Sequence, residues 1–217
     1  MSTRSVLLLI TSSLLVPLAL AQSGQGVTPS SASLLPPITG KQRLTWAITY
    51  TVGPRSLAAG AVSAGWGTLF NTPREYGTHW EGFGDRYGMR LTGVATSNVM
   101  EAGLGAIWGE DPRYRRAAGE SFGNRLGNVF KMAFLAQNKE GRTMPAFARY
   151  AAITGNNYLS NTWRADSEAT LSRATVRVGL GFLGRIAANA WEEFWPDVSQ
   201  QIFHRQDRDH ASLPASP

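Results

Sequence analysis

The sequence predicts an all-α protein, a Gly/Ala-rich helical bundle that follows a cleaved signal peptide. Three observations carry this. Apolar residues recur at three- and four-residue steps along most of the chain, the period of one helix face. Alternating runs are few, so a β-barrel, suggested only by abundant glycine and aromatics, is the weaker competitor. Small residues repeat four apart, at Gly60 and Ala64, Gly84 and Gly88, Gly105 and Gly109, and Gly123 and Gly127. A glycine inside a helix costs about 1 kcal/mol against alanine. Its recurrence therefore asks for a packing reason, a flat strip where two backbones approach.

The chain opens with an export signal over residues 1–21. Arg4 is followed by the apolar run "SVLLLITSSLLVPLAL", and "ALA" at 19–21 is a cleavage pattern. A retained anchor is the competing reading, against which Pro17 and the small residues after it argue. The chain has no cysteine, which excludes both a lipoprotein signal and disulfides. Residues 22–37 read as a flexible Ser/Pro leader, 38–204 as one helical domain and 205–217 as a disordered tail.

Within the domain the spacing predicts helices over 41–53, 55–70, 73–109, 121–138, 143–153 and 166–195. Pro54 breaks the first pair, and Pro196 stops the last helix. Phe83, Tyr87, Leu91 and Val94 form one apolar stripe; Val176, Leu180, Leu183, Ala187, Ala190 and Phe194 form another. Asp166, Ser167 and Glu168 give the last helix an acidic first turn, which suits its dipole. The segments 44–70 and 91–108 are long enough to span a bilayer, which needs about 20 residues. They are nevertheless rich in Gly, Ser, Thr and Asn. An integral bundle, in which Glu101 would face an arginine, is an alternative to a water-exposed or membrane-surface domain.

The net charge of +6 becomes +5 without Arg4, and lysine occurs only at 41, 131 and 139. An arginine excess suits two-point binding of phosphate or carboxylate. An exported protein meets no nucleic acid, so anionic lipid or an envelope polymer is the expected partner, with a protein partner as the other option. An arginine-rich genomic composition explains the same excess without any partner.

Several motifs fail on context. "GESFG" at 119–123 has the G-x-S-x-G form, but no apolar strand precedes Ser121, which reads better as a helix N-cap. "GLGFLG" at 179–184 has the dinucleotide form, but too little chain follows for the remaining strands. Glu75 and His79 stand four apart, yet no H-E-x-x-H or E-x-x-H occurs. No catalytic set, cofactor or metal site is indicated. "FGDRYG" at 83–88 and "FGNRLG" at 122–127 echo each other, with "FLGR" at 182–185 a looser relative.

The densest packet is "IWGEDPRYRR", 107–116. Glu110, Asp111, Arg113, Tyr114, Arg115 and Arg116 follow a helix that ends at Trp108 and Gly109. "NAWEEFWPDV", 189–198, repeats the same grammar with Glu192, Glu193 and Asp197, and "HWEGFGDRYG", 79–88, is a third version. These ends are expected to gather into one polar belt, with Arg113, Arg115 and Arg116 paired to Glu192, Glu193 or Asp197. As structure the belt is a helix-end clamp. As function it would hold a phosphate or sugar, with Glu110 or Asp111 as acid or base. A second candidate surface is "TGNNYLSNTWRAD", 154–166, where Asn156, Asn157, Tyr158, Asn161, Trp163 and Arg164 combine amides with aromatic platforms.

The span from "PITGKQRL" to "EEFWPDV" resembles an uncharacterised family of exported bacterial proteins, with "GEDPRY" and "EFWPD" its most distinctive pieces. The resemblance implies an envelope location, periplasmic or outer-membrane-associated, and brings no activity. The expected function is therefore non-enzymatic binding of a membrane surface, an anionic envelope component or a protein partner. An envelope enzyme acting on lipid or glycan is the rival.

Overall fold

A computed structural model describes residues 36–211, with side chains described through 202. The expected signal peptide and all but the end of the leader lie outside the described residues, as do residues 212–217. The α-helices run α1 (Gly40–Val52), α2 (Pro54–Leu69), α3 (Trp80–Trp108), α4 (Phe122–Phe134), α5 (Phe147–Leu159) and α6 (Leu171–Ala211). They pack as a bundle around α3, which touches α1, α2 and α5, while α6 lies across α4 and α5.

Local chemistry sets most boundaries. Thr39 caps α1 in a reciprocal box with Gln42. Gly53 and Pro54 separate α1 from α2, with the proline at the first position of α2, where its missing N–H costs nothing. Gly109, at φ +78°, closes α3 in the left-handed conformation. Ser121 caps α4 by accepting from the Asn124 amide at 3.4 Å, the role the sequence assigns it in place of a nucleophile.

Six boundaries differ from the spacing by more than a residue; two are C-terminal extensions, since α5 runs on past 153 to Leu159 and α6 past 195. The helix expected from 73 starts at Trp80, because Arg74–Tyr76 form a single 3₁₀ turn closed by Gly77 at φ +70°. Glu75 and His79 therefore do not share a helix face. The helix expected to reach 138 ends at Phe134. Leu135–Gln137 (β1) pairs antiparallel with Thr143–Pro145 (β2), in the register Leu135 to Pro145 and Gln137 to Thr143. Asn138 organises that hairpin by accepting from the amides of Glu140 and Arg142. α5 consequently begins at Phe147, not 143. The last helix begins at Leu171, not 166, because Thr170 Oγ1 takes the Arg173 amide.

Pro196 does not stop α6, which continues to Ala211 and so runs past Arg205, where the sequence begins its tail. A proline inside a helix removes a donor and crowds the preceding turn. Here the neighbouring Glu193 carbonyl receives two guanidinium groups from elsewhere in the chain, Arg116 and Arg125. The carbonyl that Pro196 itself deprives is that of Glu192, four residues back; the two guanidinium groups tie the turn beside it to the rest of the chain.

The interior is unusual in content. Among the described residues twelve apolar side chains are buried; eight are alanine, and the large members are Trp46, Val129, Met132 and Ile153. Alanine removes little apolar surface from water, so burial at about 25 cal/mol per Å² provides a modest drive. Buried beside these residues are Arg43, Arg86, Glu101, Glu110, Asp111, Arg149, Asn156, Ser160, Asn189 and Glu193.

The glycine strips divide. A methyl on Gly60 would press into Tyr87 and Arg90 of α3, and one on Gly105 into Arg43 of α1, so these are close approaches. Gly84, Gly88, Gly123 and Gly127 have open space above them, and no helix lies on those strips among the described residues. The tight contact in "GLGFLG" is Gly181 against Ile153 of α5.

Candidate functional site

The hub of the molecule is Glu193, on α6, whose exposure is 0%. Its carboxylate accepts from Arg125 Nε at 2.7 Å, Tyr114 OH at 2.8 Å and the Ala117 amide at 3.0 Å. Its carbonyl accepts from Arg116 Nη2 at 2.9 Å and Arg125 Nη2 at 2.7 Å. Asp197, one turn on, takes Arg116 at 2.8 Å and Arg125 at 2.5 Å. Asn128 donates to the Tyr114 hydroxyl at 2.9 Å, completing the network. Burial pushes the Tyr114 hydroxyl up, and its bond to Glu193 adds to the effect. The bond to Glu193 holds Arg125 above its ordinary value.

The sequence places Tyr114, Arg116 and Asp197 together, and the structure joins them. It does not bring Arg113 and Arg115 there. Arg113 folds back on Asp111 through two bonds, Nε–Oδ1 at 2.9 Å and Nη2–Oδ2 at 2.6 Å, with Arg115 at 3.9 Å from Asp111 Oδ2. Glu192 also serves a different contact, accepting from Tyr50 OH at 2.5 Å with Arg55 at 3.6 Å. The third helix end is not part of the belt. Arg86 instead donates to the carbonyls of Thr72, Pro73, Gly77 and Gly82, tying its own loop.

Glu110 and Asp111 are both buried, and both are engaged with backbone. Glu110 Oε2 accepts from the Ala148 amide at 3.0 Å, so it caps the first turn of α5 from a distance. Its Oε1 is buried without a hydrogen-bond partner, and desolvation raises its carboxyl above the usual range. Asp111 also extends the hairpin, its amide donating to the Gln137 carbonyl at 2.8 Å. Arg43 is buried nearby and desolvation lowers it; Asp111 and Glu110 offset part of that.

A third cluster joins α3, α5 and α6. Glu101, 4% exposed, is paired by Arg149 at 2.9 Å and by Arg185. Arg149 also donates to the carbonyls of Met132, Ala133 and Leu135, closing the end of α4. Neither arginine was singled out as a site from the sequence, because they lie 48 and 84 residues from Glu101 and no local pattern marks them.

The second candidate segment is the last part of α5, carrying Asn156, Asn157 and Tyr158, followed by a 3₁₀ turn over Ser160–Thr162. Asn157 donates to the Ile153 carbonyl, and its own carbonyl accepts from Ser160 and Arg177. Arg164 donates through Nε to Ser160 Oγ at 3.1 Å, and burial lowers it. The Trp163 indole N–H is buried with no partner. Arg177 is brought down to about 10, first by burial and next by the Arg164 charge beside it. Glu168 is the carboxylate of this corner, 3.3 Å from Arg173 and 3.8 Å from Arg177.

The outer surface carries what the interior lacks. α4 turns Phe122, Leu126, Phe130 and Phe134 outward, while Arg125, Asn128, Val129 and Met132 face in. Phe134 stacks on Phe182, which meets Tyr150, which meets Phe147, forming a continuous aromatic ridge. Lys131 on α4 and Lys139 and Arg142 on the hairpin are exposed, with Glu140 the one acid in that stretch, 3.9 Å from Arg142. At another face Trp80, 81% exposed, stacks on Phe83 and borders a shallow apolar cleft of about 450 Å³ with Leu69, Thr68 and His79. None of the residues singled out as site candidates lines that cleft. Among the described residues no helix is long and apolar enough to cross a membrane, and no group of three or more acidic or histidine side chains is placed to hold a metal ion.

Comparison with family models, curated proteins and solved structures returns no match to this chain.

Proposed function

We propose that this is a non-enzymatic, exported cell-envelope protein that binds a membrane surface carrying anionic lipid through the outer face of α4 and the adjoining hairpin. One observation carries the reading: rings face out and charges face in. Phe122, Phe130, Phe134 and Phe147 are exposed on a surface edged by Lys131, Lys139 and Arg142, while Glu101, Glu193 and their arginines are enclosed. Aromatic side chains insert at the headgroup level, and each cation near an anionic surface adds about 1 kcal/mol. A contiguous apolar patch with a basic border is the usual mark of such a contact.

Flotation with vesicles tests this. The full chain is expected to rise with phosphatidylglycerol vesicles and to remain below with phosphatidylcholine. F130S/F134S is expected to stay behind in both cases while keeping its thermal midpoint. Equal recovery with the two lipids, or unchanged flotation of the double variant, overturns the proposal. The enzymatic alternative draws support from the unpartnered, desolvated Glu110 oxygen. It requires E110Q to lose turnover of an envelope lipid or glycan at unchanged stability.

A further inference from the structure

We infer that the corner between α3, α5 and the turn after α5 is a binding site for a single phosphate group, with Asn156 and Arg164 as its donors and Gly93 as its floor. Asn156 is 7% exposed, and its side-chain amide makes no hydrogen bond among the described residues; its Oδ1 is buried and unpartnered. An amide left this way costs free energy that a ligand would recover. Arg164 lies beside it, both groups being close to Gly93. Its Nε is used by Ser160, but no carboxylate lies within 4.0 Å among the described residues, and its terminal nitrogens have no hydrogen-bond acceptor there. The two side chains converge. A methyl placed on Gly93 would sit 3.8 Å from Asn156 Nδ2 and 4.0 Å from Arg164 Nη2.

The chemistry of the corner selects the ligand class. Glu168 is committed to Arg173 and Arg177, and Glu75 accepts from the Ser167 amide. Arg164 is thus left without a counter-ion within 4.0 Å among the described residues. A guanidinium offers paired donors suited to an oxyanion. The primary amide of Asn156 supplies both a donor and an acceptor. A ligand that accepts from nitrogen and also carries a hydroxyl satisfies all of them. Hydrogenphosphate has that pattern, as does a monoester in its monoanionic form; sulfate at neutral pH lacks the hydroxyl. The phosphate reaches this corner without any membrane, so the site stands apart from the α4 ridge.

The test uses the full chain, with inorganic phosphate as the probe and sulfate as the control. Calorimetric titration is expected to give one saturable phosphate site and at least about tenfold weaker sulfate binding, the effect of one lost hydrogen bond. G93A is the decisive variant. The added methyl meets only ordinary contacts, and alanine favours the helix, so the phosphate-free thermal midpoint is expected to hold or rise while phosphate binding is lost. R164Q should weaken phosphate by about ten- to a hundredfold, the range for a charge-assisted bond. Vesicles of phosphatidic acid, compared with phosphatidylglycerol, separate a monoester headgroup from free phosphate: competition by phosphatidic acid alone assigns the site to a lipid monoester. Absence of saturable phosphate binding by the wild type overturns the inference. So does phosphate binding that survives in both G93A and R164Q, or sulfate binding equal to phosphate.

Discussion

Replacing Glu193 by alanine removes the acceptor for three donors at once. Arg125 Nε, Tyr114 OH and the Ala117 amide lie 2.7, 2.8 and 3.0 Å from its carboxylate, on a side chain with no exposure. Breaking a buried charge pair by deleting one partner costs about 3–5 kcal/mol. Arg125 is not abandoned, since it keeps Asp197 and the carbonyl of residue 193; Tyr114 still accepts from Asn128, although its own O–H loses its acceptor. That retention holds the total near the bottom of the range, about 3 kcal/mol, despite the extra orphaned amide. For a domain of this size about 3 kcal/mol lowers the midpoint by roughly 6–12 °C. E193Q keeps the volume but presents one oxygen and one NH₂ to three donors, so it should lose about 2 kcal/mol. Urea unfolding followed by circular dichroism and by the stacked Trp191–Trp195 pair beside the hub reads both. A double cycle with Y114F should show coupling of about 1 kcal/mol. An E193A variant within about 0.5 kcal/mol of wild type refutes the idea that this hub holds α6 to the rest.

Three further outcomes follow from the same geometry. E110A deletes the acceptor for the Ala148 amide and should cost about 1–3 kcal/mol, whereas E110Q keeps that oxygen and should stay within about 1 kcal/mol of wild type at neutral pH. Because the folded Glu110 carboxyl lies above its ordinary value, its stabilisation is complete below the unfolded pKa and fades as pH rises through the folded one. The advantage of E110Q over wild type should therefore grow with pH, and a flat difference between pH 4 and 8 counts against it. Asp197 runs the other way: burial pushes its carboxyl up, but the bonds from Arg125 and Arg116 outweigh that and hold it low. Its contribution is complete above the unfolded value of about 3.9 and is lost as pH falls through the folded one. D197N should thus be less stable than wild type at pH 7 and indistinguishable well below pH 3, as read by acid unfolding curves. Finally, P196A restores a helix N–H and should leave the helical signal unchanged; a gain in helicity on substitution means that the proline had been ending α6 after all.

How far the sequence foretells this molecule depends on how local each determinant is. Helix period, the Ser121 cap, the Pro54 break and the Gly109 stop each act within a few residues, and each was legible. Pro196 was misread because what anchors its turn is remote: Arg116 and Arg125 reach the adjacent Glu193 carbonyl from 77 and 68 residues away. The acid–base complementarity of "PRYRR" and "EEFWPD" revealed the clamp, but not which arginine takes which acid. Asp111 captures Arg113 through chain proximity that spacing alone does not rank. Arg125 was missed, although a signal existed. It is the arginine of "FGNRLG", and its counterpart Arg86 in "FGDRYG" likewise gathers backbone carbonyls. The hairpin escaped because its strands are three residues each, too short for alternation to register. The open strips at Gly84, Gly88, Gly123 and Gly127 show the limit of small-residue spacing, which marks where a backbone can be approached and not whether anything approaches it.

Hydroxyl-radical footprinting of the full chain, with and without phosphatidylglycerol vesicles, tests the inverted arrangement most directly. Charges inside and rings outside predict rapid oxidation of Phe122, Phe130, Phe134 and Phe147 in free protein, slow oxidation of Trp46 and Met132, and protection of those four phenylalanines when vesicles are added. Phenylalanines protected without lipid, or oxidised equally with it, contradict the account.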